Sequence, residues 1–331
     1  MLNREIIYII LAAFCAFAAA LLVGKLLIPA LRALKAGQSI REIGPTWHNS
    51  KSGTPTMGGL IFMAGLLLII PFGWRGMKSG DWTHLLVLAF SLVFGVIGFL
   101  DDFFKVKYKR NLGLTALQKL LLQLAASALY VYILYRLGEL TCDLYVPFFN
   151  VSWHLPLAVY IALAMFIIVG CVNAVNLTDG IDGLAAGVTI PVMLFFTVAC
   201  IAAKKLTIGL FPACLLGGLA GFLCYNFYPA KVFMGDTGSL FLGAAVCGMA
   251  FALDLPLVLI LVGIIYIIET LSVILQVGYF KLTHGKRIFR MTPIHHHFEM
   301  GGWSEKKIFA VFTAITCIAC IVAWFGVAAR L

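Results

Sequence analysis

Residues 155–184 read L-P-L-A-V-Y-I-A-L-A-M-F-I-I-V-G-C-V-N-A-V-N-L-T-D-G-I-D-G-L. The run from Leu155 to Val175 is long enough to cross a bilayer as a helix, which takes about 20 apolar residues. Its end differs from its body. Asn173 and Asn176 are three apart and share a helical face. Asp179 follows, and Gly180 breaks the helix. Asp182 and Gly183 then open a second apolar run, at a helix start that favours an acid. Ordinary capping accounts for Asp182. It does not account for two amides within the apolar run, because hydrocarbon supplies them no partners. A membrane helix ending in a polar pocket fits both facts.

The rest of the chain repeats this theme. Hydrophobic residues make up 62% and charged residues 11%, with a mean hydropathy of +1.03. A soluble domain is about half apolar and a quarter charged. The sequence therefore predicts an all-α polytopic membrane protein with about ten transmembrane helices. Their approximate limits are 5–34, 57–73, 83–100, 114–137, 155–175, 184–203, 206–225, 238–253, 255–281 and 307–329. No stretch is polar enough for a separate soluble domain, so residues 1–331 are expected to form one integral membrane domain. The first run is too long for a cleaved signal sequence, despite Ala16-Phe17-Ala18. The nine cysteines lie mostly in apolar runs, where Cys behaves as a small hydrophobe. Cys317 and Cys320 read as helix packing. So do Gly183 with Gly187 and Gly217 with Gly221, each spaced G-x-x-x-G.

Ten spans place the loops alternately on two sides. One side carries 16 Lys and Arg, including the cluster from Lys281 to Lys307, and the other carries 7. The basic side is expected to be cytoplasmic. The net charge of +10 follows this asymmetry and suits anionic lipid headgroups. It gives no reason to propose nucleic acid as a partner. On the opposite side, residues 138–154 are amphipathic and aromatic, and read as a short interfacial hairpin.

Further acids fall on the basic side. Asp101 and Asp102 end the third run, where they oppose the helix dipole. A metal, a phosphate-bound cation or Lys105 and Lys119 would offset them, and a solvated acidic cap beside basic residues explains them equally well. Asp236 sits between Gly235 and Thr237-Gly238 at a helix start, whose backbone N–H groups suit phosphate oxygens. Phe233 could offer a flat face to a base, although on sequence alone lipid or core packing explains it better. His295, His296 and His297 follow Pro293 in the longest basic loop. Adjacent histidines point different ways, so hydrogen bonding to a phosphate or leaving group fits better than a zinc site. Glu269 and Gln276 lie seven apart on one face of the ninth run and are expected to pair with a cation between helices.

Five stretches carry a family resemblance: K-S-G-T-P-T-M-G-G at 51–59, D-D at 101–102, N-L-T-D-G-I-D-G-L at 176–184, F-M-G-D-T-G-S-L at 233–240 and P-I-H-H-H-F-E at 293–299. The chain resembles, over nearly its whole length, the phospho-N-acetylmuramoyl-pentapeptide-transferases of the polyprenyl-phosphate N-acetylhexosamine-1-phosphate transferase superfamily. The resemblance implies transfer of phospho-MurNAc-pentapeptide from UDP to undecaprenyl phosphate, with Mg²⁺. It further implies a bacterial plasma-membrane protein, often a dimer, with a cleft open to the cytoplasm. Asp236 would contact Mg²⁺, with Asn176 as a second candidate ligand. Asp101 and Asp102 would be essential, and Lys119 would be the basic residue of the cleft. Lys51, Asp179, Gly180, Ile181, Asp182, Asn226 and Phe233 would form the nucleotide end. Asn173, His295 and His297 are further substrate-binding candidates, and His296 is a catalytic one.

Mg²⁺ takes one or two carboxylates plus substrate phosphates, and phosphoryl transfer needs positioning and charge neutralisation above all. A phosphate monoester is already largely dianionic at pH 7, so direct attack needs no strong base. A covalent aspartyl-phosphate route stays open. The rival readings are a sister transferase using another UDP-sugar and, from a different class, a secondary transporter.

Overall fold

The computed structural model describes residues 2–33, 53–108 and 113–331. It is a bundle of α-helices in the order α1 (Leu2–Ala33), α2 (Gly59–Leu66), α3 (Ile69–Phe72), α4 (Trp74–Lys78), α5 (Thr83–Tyr108), α6 (Ala116–Arg136), α7 (Leu157–Thr178), α8 (Leu184–Ala202), α9 (Leu206–Asn226), α10 (Gly235–Ala252), α11 (Leu259–Val262), α12 (Ile264–Leu282), α13 (Ile294–Glu299) and α14 (Glu305–Val327). Strands β1 (Asp143–Val146) and β2 (Val151–His154) form an antiparallel hairpin between α6 and α7, pairing Asp143 with His154 and Val146 with Val151. This is the hairpin expected within 138–154.

Among the described residues, nine helices are long and apolar enough to cross a membrane. The protein is a multi-pass membrane protein. The expected span at 57–73 is shorter and broken into α2 and α3. Pro71 supplies the reason: it lacks the N–H that would bond to Leu67, four residues back, and the chain turns at Leu67 and Leu68. The run 255–281 is likewise divided, by Pro256 at its start and Gly263 between α11 and α12.

Helix α10 is the centre of the bundle. Every residue from Thr237 to Ala252 is buried. Small side chains let its neighbours approach. Gly243 lies against the backbone of Val172 in α7, Gly238 against Gly59 at the start of α2, and Gly248 against Val87 and Phe90 in α5. Gly217 and Gly221 of α9 meet the backbone of α1 at Ala13 and Phe17, as their spacing predicts. The other pair divides its labour. Gly187 packs on Phe309 and Thr313, whereas Gly183 precedes α8 with φ +78°, a turn conformation that favours glycine. Outward faces carry large exposed apolar side chains such as Leu26, Phe166 and Phe325. Water would penalise these faces, whereas lipid accepts them.

The third run ends later than its composition suggests. Helix α5 continues to Tyr108, so Asp101 and Asp102 lie two turns inside it rather than at its C-terminus. The dipole argument therefore does not apply to them. Lysines continue a helix readily once it leaves the apolar layer, and Lys105 and Lys107 do so here.

Candidate active site

The end of α5, the starts of α6 and α10, and the end of α7 meet at one end of the bundle. There the carboxylates of Asp101, Asp102 and Asp236 approach within 4.8 Å of one another. Asp236, in the first turn of α10, accepts hydrogen bonds from Lys119 Nζ at 2.8 Å and Lys105 Nζ at 3.1 Å. Lys105 also pairs with Asp101 one turn back in α5. Asp101 accepts the N–H of Leu114 at 2.8 Å, which ties the entry to α6 onto α5. The side chains of Lys105, Lys119 and Asp236 remain partly open to solvent, so an incoming ligand can reach them.

Asp102 does something different. It accepts the Thr237 N–H at 2.9 Å, the Thr237 hydroxyl at 2.7 Å and the Asp236 N–H at 3.3 Å. The start of α10 was expected to offer its N–H groups to a phosphate; Asp102 already takes those of Asp236 and Thr237. Gly235 makes this possible. It has φ +73°, and a side chain there would strike Asp102 and Thr56. Residues 55–59 brace the same loop: Phe233 N–H donates to Pro55 O at 2.8 Å, Gly58 N–H to Phe233 O at 2.8 Å and Gly59 N–H to Met234 O at 3.0 Å. The P-T-M-G-G stretch is thus part of the scaffold beneath Asp236.

Asn176 joins the cluster. Its amide donates to Asp236 at 2.9 Å and to Ser239 Oγ at 2.7 Å. These bonds use the amide nitrogen and leave both lone pairs of the carbonyl oxygen for the metal-ligand role expected of Asn176. Asn173 lies apart, donating to Gln123 Oε1 and Val169 O, both at 2.8 Å. Between α6 and α7 below it runs an apolar groove of about 430 Å³, lined by Leu120, Leu124, Met165, Phe166 and Val169.

The turn after α7 lies beside the cluster. Burial pushes the Asp179 carboxyl well above the usual range, and the charges of Asp236, Asp102 and Asp182 add to the push. Gly180 is exposed and Ile181 buried. Asp182 accepts the Ala230 N–H at 2.9 Å, and its own N–H donates to Glu305 at 3.0 Å. Its carboxylate thus fastens the loop between α9 and α10, beyond the simple capping expected of it. Asn226 closes the same loop by donating to Val232 O at 2.9 Å. Phe233 is half-buried. Lys51 lies outside the described residues.

The three histidines separate as expected. His295 is fully buried, with Nδ1 3.0 Å from Glu269. His296 Nδ1 lies 2.9 Å from Glu299, and His297 Nδ1 accepts the Arg290 N–H at 3.2 Å. Glu269 faces His295. Gln276 accepts the N–H groups of Ile288 and Phe289, each at 3.0 Å, and so clamps the loop after α12. Lys105, expected as a charge partner of Asp101 and Asp102 but not as a site residue, joins the site through Asp236. Its signal was the four-residue spacing from Asp101, which puts both on one helical face.

A family model described as glycosyl transferase family 4 matches residues 84–254, which includes all three clustered aspartates. A second, phospho-N-acetylmuramoyl-pentapeptide-transferase signature 1, matches residues 51–63, which includes the bracing segment. The chain is 48% identical over 319 residues to the phospho-N-acetylmuramoyl-pentapeptide-transferase of Clostridium acetobutylicum, covering 96% of this chain and 98% of that one. This chain belongs to the phospho-N-acetylmuramoyl-pentapeptide-transferase family. The same transferase of Caldanaerobacter subterraneus subsp. tengcongensis is 50% identical over 321 residues, with 96% and 98% covered. That of Listeria welshimeri is 45% identical over 318 residues, with 96% and 97% covered. Membership in the transferase family accounts for a cluster of acids and lysines at the edge of an apolar bundle.

Proposed function

We propose that this chain transfers phospho-MurNAc-pentapeptide from UDP-MurNAc-pentapeptide to undecaprenyl phosphate, releasing UMP and forming the first lipid-linked peptidoglycan precursor. The observation that carries the reading is Asp236 held between Lys105, Lys119 and Asn176 at the end of a membrane bundle. Such a site meets a soluble phosphate ester and a lipid phosphate at one surface. Two ammonium groups neutralise phosphate charge, and a fixed carboxylate frame aligns the reacting groups.

The donor set suits a hard divalent cation, since three carboxylates converge within 4.8 Å. Asp236 together with Asp101 would hold Mg²⁺, which supplies charge neutralisation on the pyrophosphate. Asp102 spends its oxygens on α10, which makes it a scaffold residue. Asp101 is then the better candidate to position the lipid phosphate. The groove between α6 and α7 is lined from Leu120, the residue after Lys119 in sequence, and suits an apolar chain. Asp179, Asp182 and Phe233 lie at the donor's nucleotide end in this reading. The site faces the cytoplasm of a bacterial plasma membrane, and the chain works as a homodimer.

The sister transferase is disfavoured by the signature at residues 51–63. A transporter would place its acids near the bilayer midplane, whereas here Asp236 lies in the first turn of α10 and Asp101 and Asp102 within about two turns of the end of α5. The test is UMP release from UDP-MurNAc-pentapeptide by the purified chain. Release should require both undecaprenyl phosphate and Mg²⁺, and stop on chelation. Release from UDP-GlcNAc instead would transfer the assignment to the sister enzymes.

A further inference from the structure

The turn from Asp179 to Asp182 is held from three sides. Glu305, at the start of α14, accepts the Asp182 N–H. The loop between α9 and α10 is fastened to the Asp182 carboxylate through Ala230. The third contact is at Gly180. A methyl group built there would collide with Nε2 and Cε1 of His295. His295 is itself anchored from behind. Its Nδ1 lies 3.0 Å from Oε1 of Glu269 in α12, and its N–H reaches Oε2 at 3.5 Å. Both side chains are completely buried, and among the described residues Nε2 has no partner, while the Nδ1–Glu269 contact is a close ionic approach rather than a well-aligned hydrogen bond.

A buried carboxylate beside one imidazole nitrogen fixes the ring and the direction of the other nitrogen. Here that direction is toward the backbone of Gly180, next to Asp179. Neither Glu269 nor His295 is open to a ligand. Replacing a buried ionic pair by apolar residues is often neutral or stabilising, so its presence is poorly explained by stability.

We propose that Glu269 and His295 are a positioning pair that sets the Asp179–Asp182 turn, and through it the affinity for the UDP-sugar donor, without touching either substrate. The inference rests on the donor assignment made above. Because α13 is connected to α12 through this pair, the histidine loop and the donor site move as one body.

The experiment compares the full-length wild-type chain with Glu269→Gln, His295→Asn and Gly180→Ala, measuring kcat and both KM values. Each variant should raise KM for UDP-MurNAc-pentapeptide about tenfold and leave KM for undecaprenyl phosphate within about twofold. Glu269→Gln combined with His295→Asn should be no worse than the poorer single variant, because the two act as one unit. A purely structural role predicts a lower melting temperature and less active enzyme, with both KM values unchanged; that result overturns the proposal. Equal changes in the two KM values, or effects that multiply, overturn it as well. Gly180 is exposed and the nearest atoms its methyl would meet all belong to His295, so this variant decides the matter even if the buried ones fail to fold. A wild-type chain that releases no UMP would instead refute the proposed function.

Discussion

Asp236 and Asp102 show how neighbouring acids take different roles from their partners. Asp236 faces two lysines and an amide, all donors that a phosphate or cation can displace or join. Asp102 faces backbone and a threonine, which stay where they are. Asp236→Asn should therefore keep the fold and lose turnover by at least about a hundredfold, since it removes charge where the reaction concentrates it. Activity assays on protein with an unchanged melting temperature check this, and normal turnover would sink the assignment. Phe233 presents the opposite problem. Its backbone is pinned by Pro55 and Gly58, while its ring is half-buried. Stacking on one aromatic face is worth about 1–3 kcal/mol, so Phe233→Ala should weaken uridine-nucleotide binding by about tenfold to a hundredfold. A lower melting temperature with unchanged affinity would assign the ring to packing. The aspartates and Lys119 were legible as single letters in polar breaks. Lys105 was legible only as a charge partner of Asp101 four residues away, because a lysine near a membrane edge is ordinary; its contact with Asp236 across 131 positions is what places it in the site.

At the scale of elements, α10 carries the site and the core together. Its first turn holds Asp236, and every residue from Thr237 onward is enclosed by neighbours. Packing along its length should therefore control stability more than chemistry. Gly243→Leu forces a side chain into the backbone of Val172. Overpacking of this kind costs about 1–3 kcal/mol, so the melting temperature in detergent should fall, and an unchanged value would count against the close α10–α7 contact. The apolar runs foretold nearly every helix, but not where α5 ends or where the second run breaks. Composition marks where a chain is apolar. A helix continues past that layer whenever its residues allow, as with Lys105 and Lys107, and stops inside it at a proline, as near Pro71.

For the whole molecule, the asymmetry of basic residues and the clustering of the site at one end make a joint prediction about orientation. The loop after α12 and the site should face the cytoplasm, and the β1–β2 hairpin the other side. On a cysteine-free background, Lys286→Cys should resist a membrane-impermeant thiol reagent in intact cells, whereas Ser152→Cys should react. Both positions are exposed, so access alone does not separate them. Ready labelling at 286 would invert the topology.

The sequence alone determined that this chain lives in a membrane, since nothing else tolerates 62% hydrophobic residues, and that its chemistry sits in a few polar breaks. It also carried the family, because the motif stretches can be read without coordinates. Only the tertiary structure decided which acid does what. Partners from distant parts of the chain set that choice: Lys119 for Asp236, Thr237 for Asp102, Ala230 for Asp182 and Glu269 for His295. A carboxylate's role depends on the donors within about 3 Å of it, and those donors are brought there by packing rather than by their place along the chain.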